Sequence, residues 1–438
     1  MCARWSPTSS RIRTCRATFC RAMRERVEYR RLLALFLVPA AALGQIAGQP
    51  SRRSILPAPA GKYAIGRQAY DWTDSARTDQ FSSGPSKHRE LMVYIWYPAQ
   101  ASTLKTSAPY FPKADQLDKN PAAQSAARDI FGLAWPQIAA GSLRSHAVTN
   151  APPLKMGGQF PVILFSHGYS ATTFSYTAQI ENFVSHGYVV VAIEHTDAAG
   201  LVLFPDGRIR PFRNPPVSPS IHDPLKAMIA SAEEGTQIGA EDLRFVLDML
   251  VKQKSSVTRM MDLGRVAAVG HSYGGTLSAR ACQIDAQIKA CISEDGEVNP
   301  VGAFFDFSDR LPLDQPFMLI EIANHPTASE LARMGESQSQ WNDFLEHQHQ
   351  QLEACGAGSY HVLLSGSGMA HSSFSDGPVL NAPPGSAQST VALQDLLLTE
   401  DLEMNFLDEN LKGNPAPLLD GTAKVPSEVQ VERVGRLH

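Results

Sequence analysis

The chain of 438 residues is 43% hydrophobic and 19% charged, with 31 glycines and 30 prolines. This ordinary globular composition excludes collagen-like, coiled-coil and disordered classes. Its net charge of −4 hides an asymmetry: residues 1–45 hold nine arginines and two glutamates, a net of +7, which leaves −11 for the remainder. So acidic a body does not bind a phosphate backbone, and no nucleic-acid partner is expected.

In chain order, residues 32–44 (LLALFLVPAAALG) form an apolar run behind Arg30 and Arg31 that ends in small residues. That pattern predicts a secretory signal within 1–45, with Met23 as an alternative start, and hence an exported, secreted or periplasmic protein. The run is shorter than the roughly 20 residues of a spanning helix, and no cysteine follows it to carry a lipid. Residues 46–60 read as a Pro-containing linker, 61–425 as one catalytic domain and 426–438 as a C-terminal tail. Cys282, Cys291 and Cys355 remain beyond the signal. Three thiols allow at most one intramolecular bridge, and buried free thiols are the preferred reading.

Residues 62–71 and 90–97 predict extended segments, and 99–158 read as irregular. PVILFSHG (161–168) and YVVVAIEH (188–195) are short, unbroken apolar strands with helical spacing between them at 174–186. Further helices are expected at 240–253, 274–284, 328–354 and 389–411, and strands at 265–269, 288–293, 316–322 and 360–364. Segments 196–239 and 297–313, interrupted by Pro and Gly, read as insertions over the carboxyl edge of the sheet. Unbroken Val/Ile/Leu strands alternating with helices predict an α/β fold with a doubly wound, mostly parallel sheet.

The chemistry is concentrated after the strand RVAAVG, where residues 270–274 read Gly-His-Ser-Tyr-Gly. Small residues on both sides of Ser272 permit the sharp strand-to-helix turn that exposes a nucleophilic hydroxyl, the arrangement of the α/β-hydrolase fold. A serine needs a base, and the base needs an acid to orient it, in the chain order Ser, Asp or Glu, His. KACISEDGE (289–297) offers Asp295 before Gly296, with Glu294 as the rival acid. Of the later histidines, His325 comes too early, His347 and His349 lie on a helix, His361 lies in a strand and His438 is terminal. His371, in the loop GSGMAHSSFSD, is selected. The backbone N–H groups of Tyr273 and Tyr169 are the expected oxyanion donors, with Gly168 allowing the turn and His167 orienting that loop. No zinc spacing and no HExxH is present, so no metal and no cofactor is expected.

The segments LMVYIWYPAQ, FPVILFSHGYSATTFSYTAQIENFVSHGYVVVAIEH, VGHSYGG, QPFMLIEI and MAHSSFSD resemble, in order from about residue 62 to 415, the platelet-activating-factor acetylhydrolase family of lipid esterases. The resemblance implies an ester hydrolase that removes short or oxidised acyl chains from phospholipids. It implies Ser272, Asp295 and His371 as nucleophile, acid and base, and the backbone of Tyr169 and Tyr273 as oxyanion donors. Departures are the polar surroundings of the acid (SEDGEVNP) and an unrecognisable 196–239 insertion. The implied partner is a small-molecule or lipid ester, with peripheral contact to a lipid surface; Phe304, Phe305 and Phe307 are candidates for an acyl pocket or a lipid-facing patch. A broad secreted esterase or polyester hydrolase is the alternative, and a catalytically silent binding protein on the same fold is the reading from another class.

Overall fold

The computed structural model describes residues 56–80, 88–101, 107–155, 158–215, 221–222, 224–298, 313–323, 326–334, 337–366 and 368–436. The expected signal segment and Phe304, Phe305 and Phe307 lie outside the described residues, as do His325 and His438. The described residues fall into two units, a small one that includes 326–334 and 337–343 and a main one that includes 56–323 and 344–436. Among its described residues the small unit holds helix α6 (Ala328–Met334) and the first turn of α7 (Gln338–Glu353).

The main unit is built on ten strands: β1 (Ala64–Thr78), β2 (His88–Ala99), β3 (Val148–Thr149), β4 (Phe160–Ser166), β5 (Val189–Glu194), β8 (Met261–His271), β9 (Ile288–Glu294), β10 (Phe317–Ile322), β11 (Ser359–Leu364) and β12 (Val429–Val434). Their order is β12-β11-β10-β9-β8-β4-β5-β2-β1-β3. The consecutive pairs from β11 to β5 are parallel, whereas β2 and β12 join antiparallel. This is the α/β-hydrolase fold expected from the sequence.

The apolar runs form central strands because both of their faces are covered. On β4, Ile163 and Phe165 face a core shared with Ile180 and Phe183 of α3 (Thr177–Ser185) and Leu402 and Phe406 of α9 (Ala387–Lys412). Val162 and Leu164 face the opposite core, with Leu243 and Leu247 of α4 (Pro224–Lys252) and Leu277 of α5 (Tyr273–Ile284). A sheet between two helical layers puts every βα turn of the parallel strands at one edge.

Several expectations need correction. The 99–158 segment is not wholly irregular: α1 (Pro121–Phe131) and α2 (Trp135–Ala139) lie within it. Asn120 starts α1 by accepting the N–H of Ala123 at 3.0 Å, with proline at the first helical position, where its missing N–H costs nothing. The 196–239 insertion splits into a two-stranded sheet, β6 (Leu201–Leu203) with β7 (Ile209–Pro211), and the first half of α4. The expected tail contains β12, which pairs along all of β11. Cys282 and Cys291 form a disulfide that ties the end of α5 to β9, against the preferred reading of free thiols; Cys355 is free and buried.

Candidate active site

Four connections at the carboxyl edge carry the residues expected to act. Ser272 follows β8 and opens α5 with φ 55° and ψ −122°, a backbone conformation costly for any residue bearing a Cβ. The turn is held by Ser272 N–H donating to the carbonyl of Glu294 at 2.7 Å. It also requires its glycines: a Cβ on Gly274 would run into the carbonyl oxygens of Ser166 and His167, and one on Gly270 into that of Gly274. The sequence pattern around Ser272 is therefore a steric requirement of packing β8 and α5 against β4.

Asp295 follows β9, also at positive φ, and its N–H donates to Ile320 O at 2.6 Å. Oδ1 accepts the N–H of Ile322 at 3.1 Å, and Oδ2 lies 2.5 Å from His371 Nδ1. Glu294 does not meet His371. Its side chain is fully buried on the α3 and α9 side, where Gln179 Nε2 donates to Glu294 and to Glu403 at 2.8 Å each. Burial pushes the Glu294 carboxyl up to about 7.

His371 sits in a short 3₁₀ turn (His371–Phe374), partly exposed, with its ring 4.5 Å from that of His271, the residue before Ser272. The far end of this turn is anchored by Asp376, which the sequence analysis did not single out. Its carboxylate accepts from Tyr110 Oη at 2.8 Å and from the N–H groups of Thr177 and Ala178, the first residues of α3. Burial raises Asp376 to about 7 in spite of these donors.

The loop after β4 approaches from the other side. Gly168 N–H donates to Tyr176 Oη at 3.0 Å, and the same hydroxyl lies 2.9 Å from His271 Nδ1. Tyr176 therefore connects this loop to the residue before the serine. Tyr273 is the first residue of α5, so its N–H has no partner within the helix. The rings of Tyr169 and Tyr273 meet edge-on with centroids 5.1 Å apart, which brings the two expected donor residues together. Beside them lies a recess lined by Ala198, Ile238 and Gly239 together with Arg89, His195 and Arg213.

A buried charge network braces this loop, and of its members the sequence singled out only His167. His167 Nε2 accepts the N–H of His195 at 3.2 Å, which puts the proton on Nδ1, 2.8 Å from Gly168 O. Burial lowers His167 to about 3, so it stays neutral and orients the loop. His195 bridges Ser166 Oγ and Asp242 Oδ2 at 3.0 Å each. Burial opposes the charge on Asp242, but Arg89, His195 and Arg77 outweigh it and hold the carboxyl well below its usual range. The signal available in the sequence was His195 itself, placed at the end of an apolar strand.

The chain belongs to the alpha/beta hydrolase family, whose model matches residues 163–415. The family described as platelet-activating factor acetylhydrolase, isoform II, matches residues 49–204, in line with the resemblance read from the sequence. A probable 1-alkyl-2-acetylglycerophosphocholine esterase of Arthroderma benhamiae is 27% identical over 258 residues, 55% of this chain and 59% of that protein. The platelet-activating factor acetylhydrolase of Cavia porcellus is 28% identical over 219 residues, 44% of this chain and 47% of that protein. The chain thus spans about half the length of the curated relatives it matches. A ferulic acid esterase from Streptomyces cinnamoneus has a similar structure, with TM-score 0.63 and 26% identity over 86% of this chain and 99% of that one.

Proposed function

We propose that this protein is an exported serine carboxylic ester hydrolase that removes short acyl chains from phospholipid-like esters. The observation that carries the reading is the 2.5 Å contact of His371 Nδ1 with Asp295, at the same sheet edge as the strained Ser272 turn. In this mechanism Asp295 holds the Nδ1–H tautomer, and Nε2 of His371 takes the proton of Ser272 as Oγ attacks the ester carbonyl. The oxyanion of the tetrahedral intermediate accepts from the N–H groups of Tyr169 and Tyr273. His371 then protonates the leaving alcohol, and water repeats the sequence on the acyl-enzyme.

The relatives named for alkylacetylglycerophosphocholine support a lipid substrate, and the recess favours a short acyl group. It is narrow, with Ala198, Ile238 and Gly239 beside the cations Arg89 and Arg213, which disfavours a hexadecanoyl chain. Export is supported by the basic flank and apolar run at the N-terminus and by the Cys282–Cys291 bridge, since such bonds persist in oxidising compartments. Among the described residues no helix is long and apolar enough to cross a membrane.

A fluorophosphonate probe is expected to label the wild type and not Ser272→Ala; equal labelling of both overturns the nucleophile. A p-nitrophenyl ester series then tests the substrate: acetate and butyrate turn over at least about tenfold faster than palmitate, and a preference for palmitate overturns the short-acyl reading. The similarity to the ferulic acid esterase favours a second reading, an aryl ester hydrolase, which a higher kcat/KM for methyl ferulate than for an acetylated phospholipid would support.

A further inference from the structure

We propose that His349, His361 and Glu432 form a site for one divalent transition-metal ion of the zinc type, separate from the esterolytic residues. The three come from different elements. His361 lies in the middle of β11, Glu432 stands directly opposite it on β12, and His349 projects from α7, so the sequence has no recognisable ligand spacing. Each offers one ligand atom, and these atoms all lie within 4.8 Å of one another. Ligands of a tetrahedral zinc site stand about 3.3 Å apart, given bonds of about 2.0–2.2 Å, a contraction that small side-chain rotations supply.

The surroundings fit a cation. Glu321 Oε2 lies 2.8 Å from His361 Nε2, while Gln348 Nε2 donates to Glu321 Oε1 at 2.8 Å. A carboxylate that is itself fixed thus braces the imidazole, the outer support typical of metal-bound histidines. Glu353 adds a carboxylate oxygen 3.6 Å from His349 Nε2. Among the described residues no lysine or arginine pairs with Glu321, Glu353 or Glu432, so three carboxylates surround two imidazoles without a positive partner. Two ring nitrogens with one carboxylate form a donor set suited to zinc rather than to calcium or magnesium, which prefer oxygen alone. A bound ion would clamp β12 and α7 onto β11. Glu432 is exposed and both histidines are half-buried, so the ion would exchange with solvent.

The test uses the full chain, stripped with EDTA and desalted. Zinc titrated by calorimetry should bind one ion per chain, and cobalt in its place should give the visible absorption of a tetrahedral nitrogen-oxygen site. Saturating zinc should raise the melting temperature by about 3 °C or more. His349→Gln and Glu432→Gln, on separate elements, should each weaken binding by about tenfold or more. Both should keep wild-type ester turnover and the metal-free melting temperature, which shows that the fold survives. His371→Ala should bind zinc as the wild type does. Absence of saturable one-to-one binding overturns the proposal, and so does undiminished affinity in the two variants or loss of binding in His371→Ala.

Discussion

His371 and Asp295, 76 positions apart in the chain, meet through Nδ1 and Oδ2 at 2.5 Å, while the other carboxylate oxygen of Asp295 is occupied by the N–H of Ile322. Asp295 is thereby fixed to the end of β10 and cannot follow the ring if the ring turns. Asp295→Asn keeps the shape but favours the wrong tautomer, so kcat should fall by roughly 10³–10⁴. Glu294→Gln should leave kcat within about threefold, because Glu294 bonds Gln179 and not His371. Steady-state kinetics on p-nitrophenyl butyrate decide between the two acids, and the reverse ranking would move the role to Glu294.

Ser272→Ala and His371→Ala should each remove nearly all turnover, and the double variant should be no worse than either alone, since members of such a unit lose activity together. A tenth of wild-type turnover in purified Ser272→Ala would refute the assignment.

Tyr176→Phe removes the acceptor for Gly168 N–H and the partner of His271 Nδ1. Leaving a buried donor unsatisfied costs about 1–3 kcal/mol, which denaturant unfolding should register. Because the lost contacts hold the loop after β4, with its proposed oxyanion donor, against the serine turn, kcat should drop while KM changes little. A variant with wild-type kcat and only lowered stability would give Tyr176 a purely structural part.

Stability should fall as pH rises from about 5 to 8. Burial raises Glu294 and Asp376 to about 7 and Glu400 to about 8, and Glu403, buried beside the Glu294 charge, is also raised. Between the unfolded values near 4 and these folded ones, the native chain holds more protons than the unfolded chain. The buried His167, His195 and His271, all lowered, act in the opposite sense below about pH 6.5. With Glu194 also raised to about 8, the carboxyls outnumber them and the slope of unfolding free energy with pH is negative. Glu403→Gln should melt above the wild type at pH 8 and close to it at pH 5; a wild-type melting temperature that climbs over this range would contradict the sign.

The parts of the fold most legible in the sequence were those where burial is unambiguous. The runs at 161–166 and 189–194 are apolar on both faces, and the glycines around Ser272 are demanded by backbone contact, so strand and turn could be read together, with Ser272 at their junction as the expected nucleophile. Asp295 and His371 followed from chain order, but their meeting depends on β9, β10 and β11 lying side by side, a property of topology rather than of local pattern. What escaped was long-range or half-signalled. Helix α1 was announced by Asn120–Pro121 and β12 by the alternation of VQVERV, yet each is short and bordered by polar residues. The Arg89–Asp242–His195 network joins β2, α4 and the end of β5, and no spacing reveals it. The disulfide was open by counting alone, since three cysteines fit one bridge in several ways.

Strand β12 has an influence on how the protein is made. It emerges only after β11 and α9, and until it does β11 presents residues 359–364 as an unpaired edge beside a formed hydrophobic layer. An open edge of that kind pairs readily with another chain. A product that stops or is trimmed before residue 429 keeps Ser272, Asp295 and His371 and yet loses the cover of β11. Such a product would aggregate before it lost its chemistry.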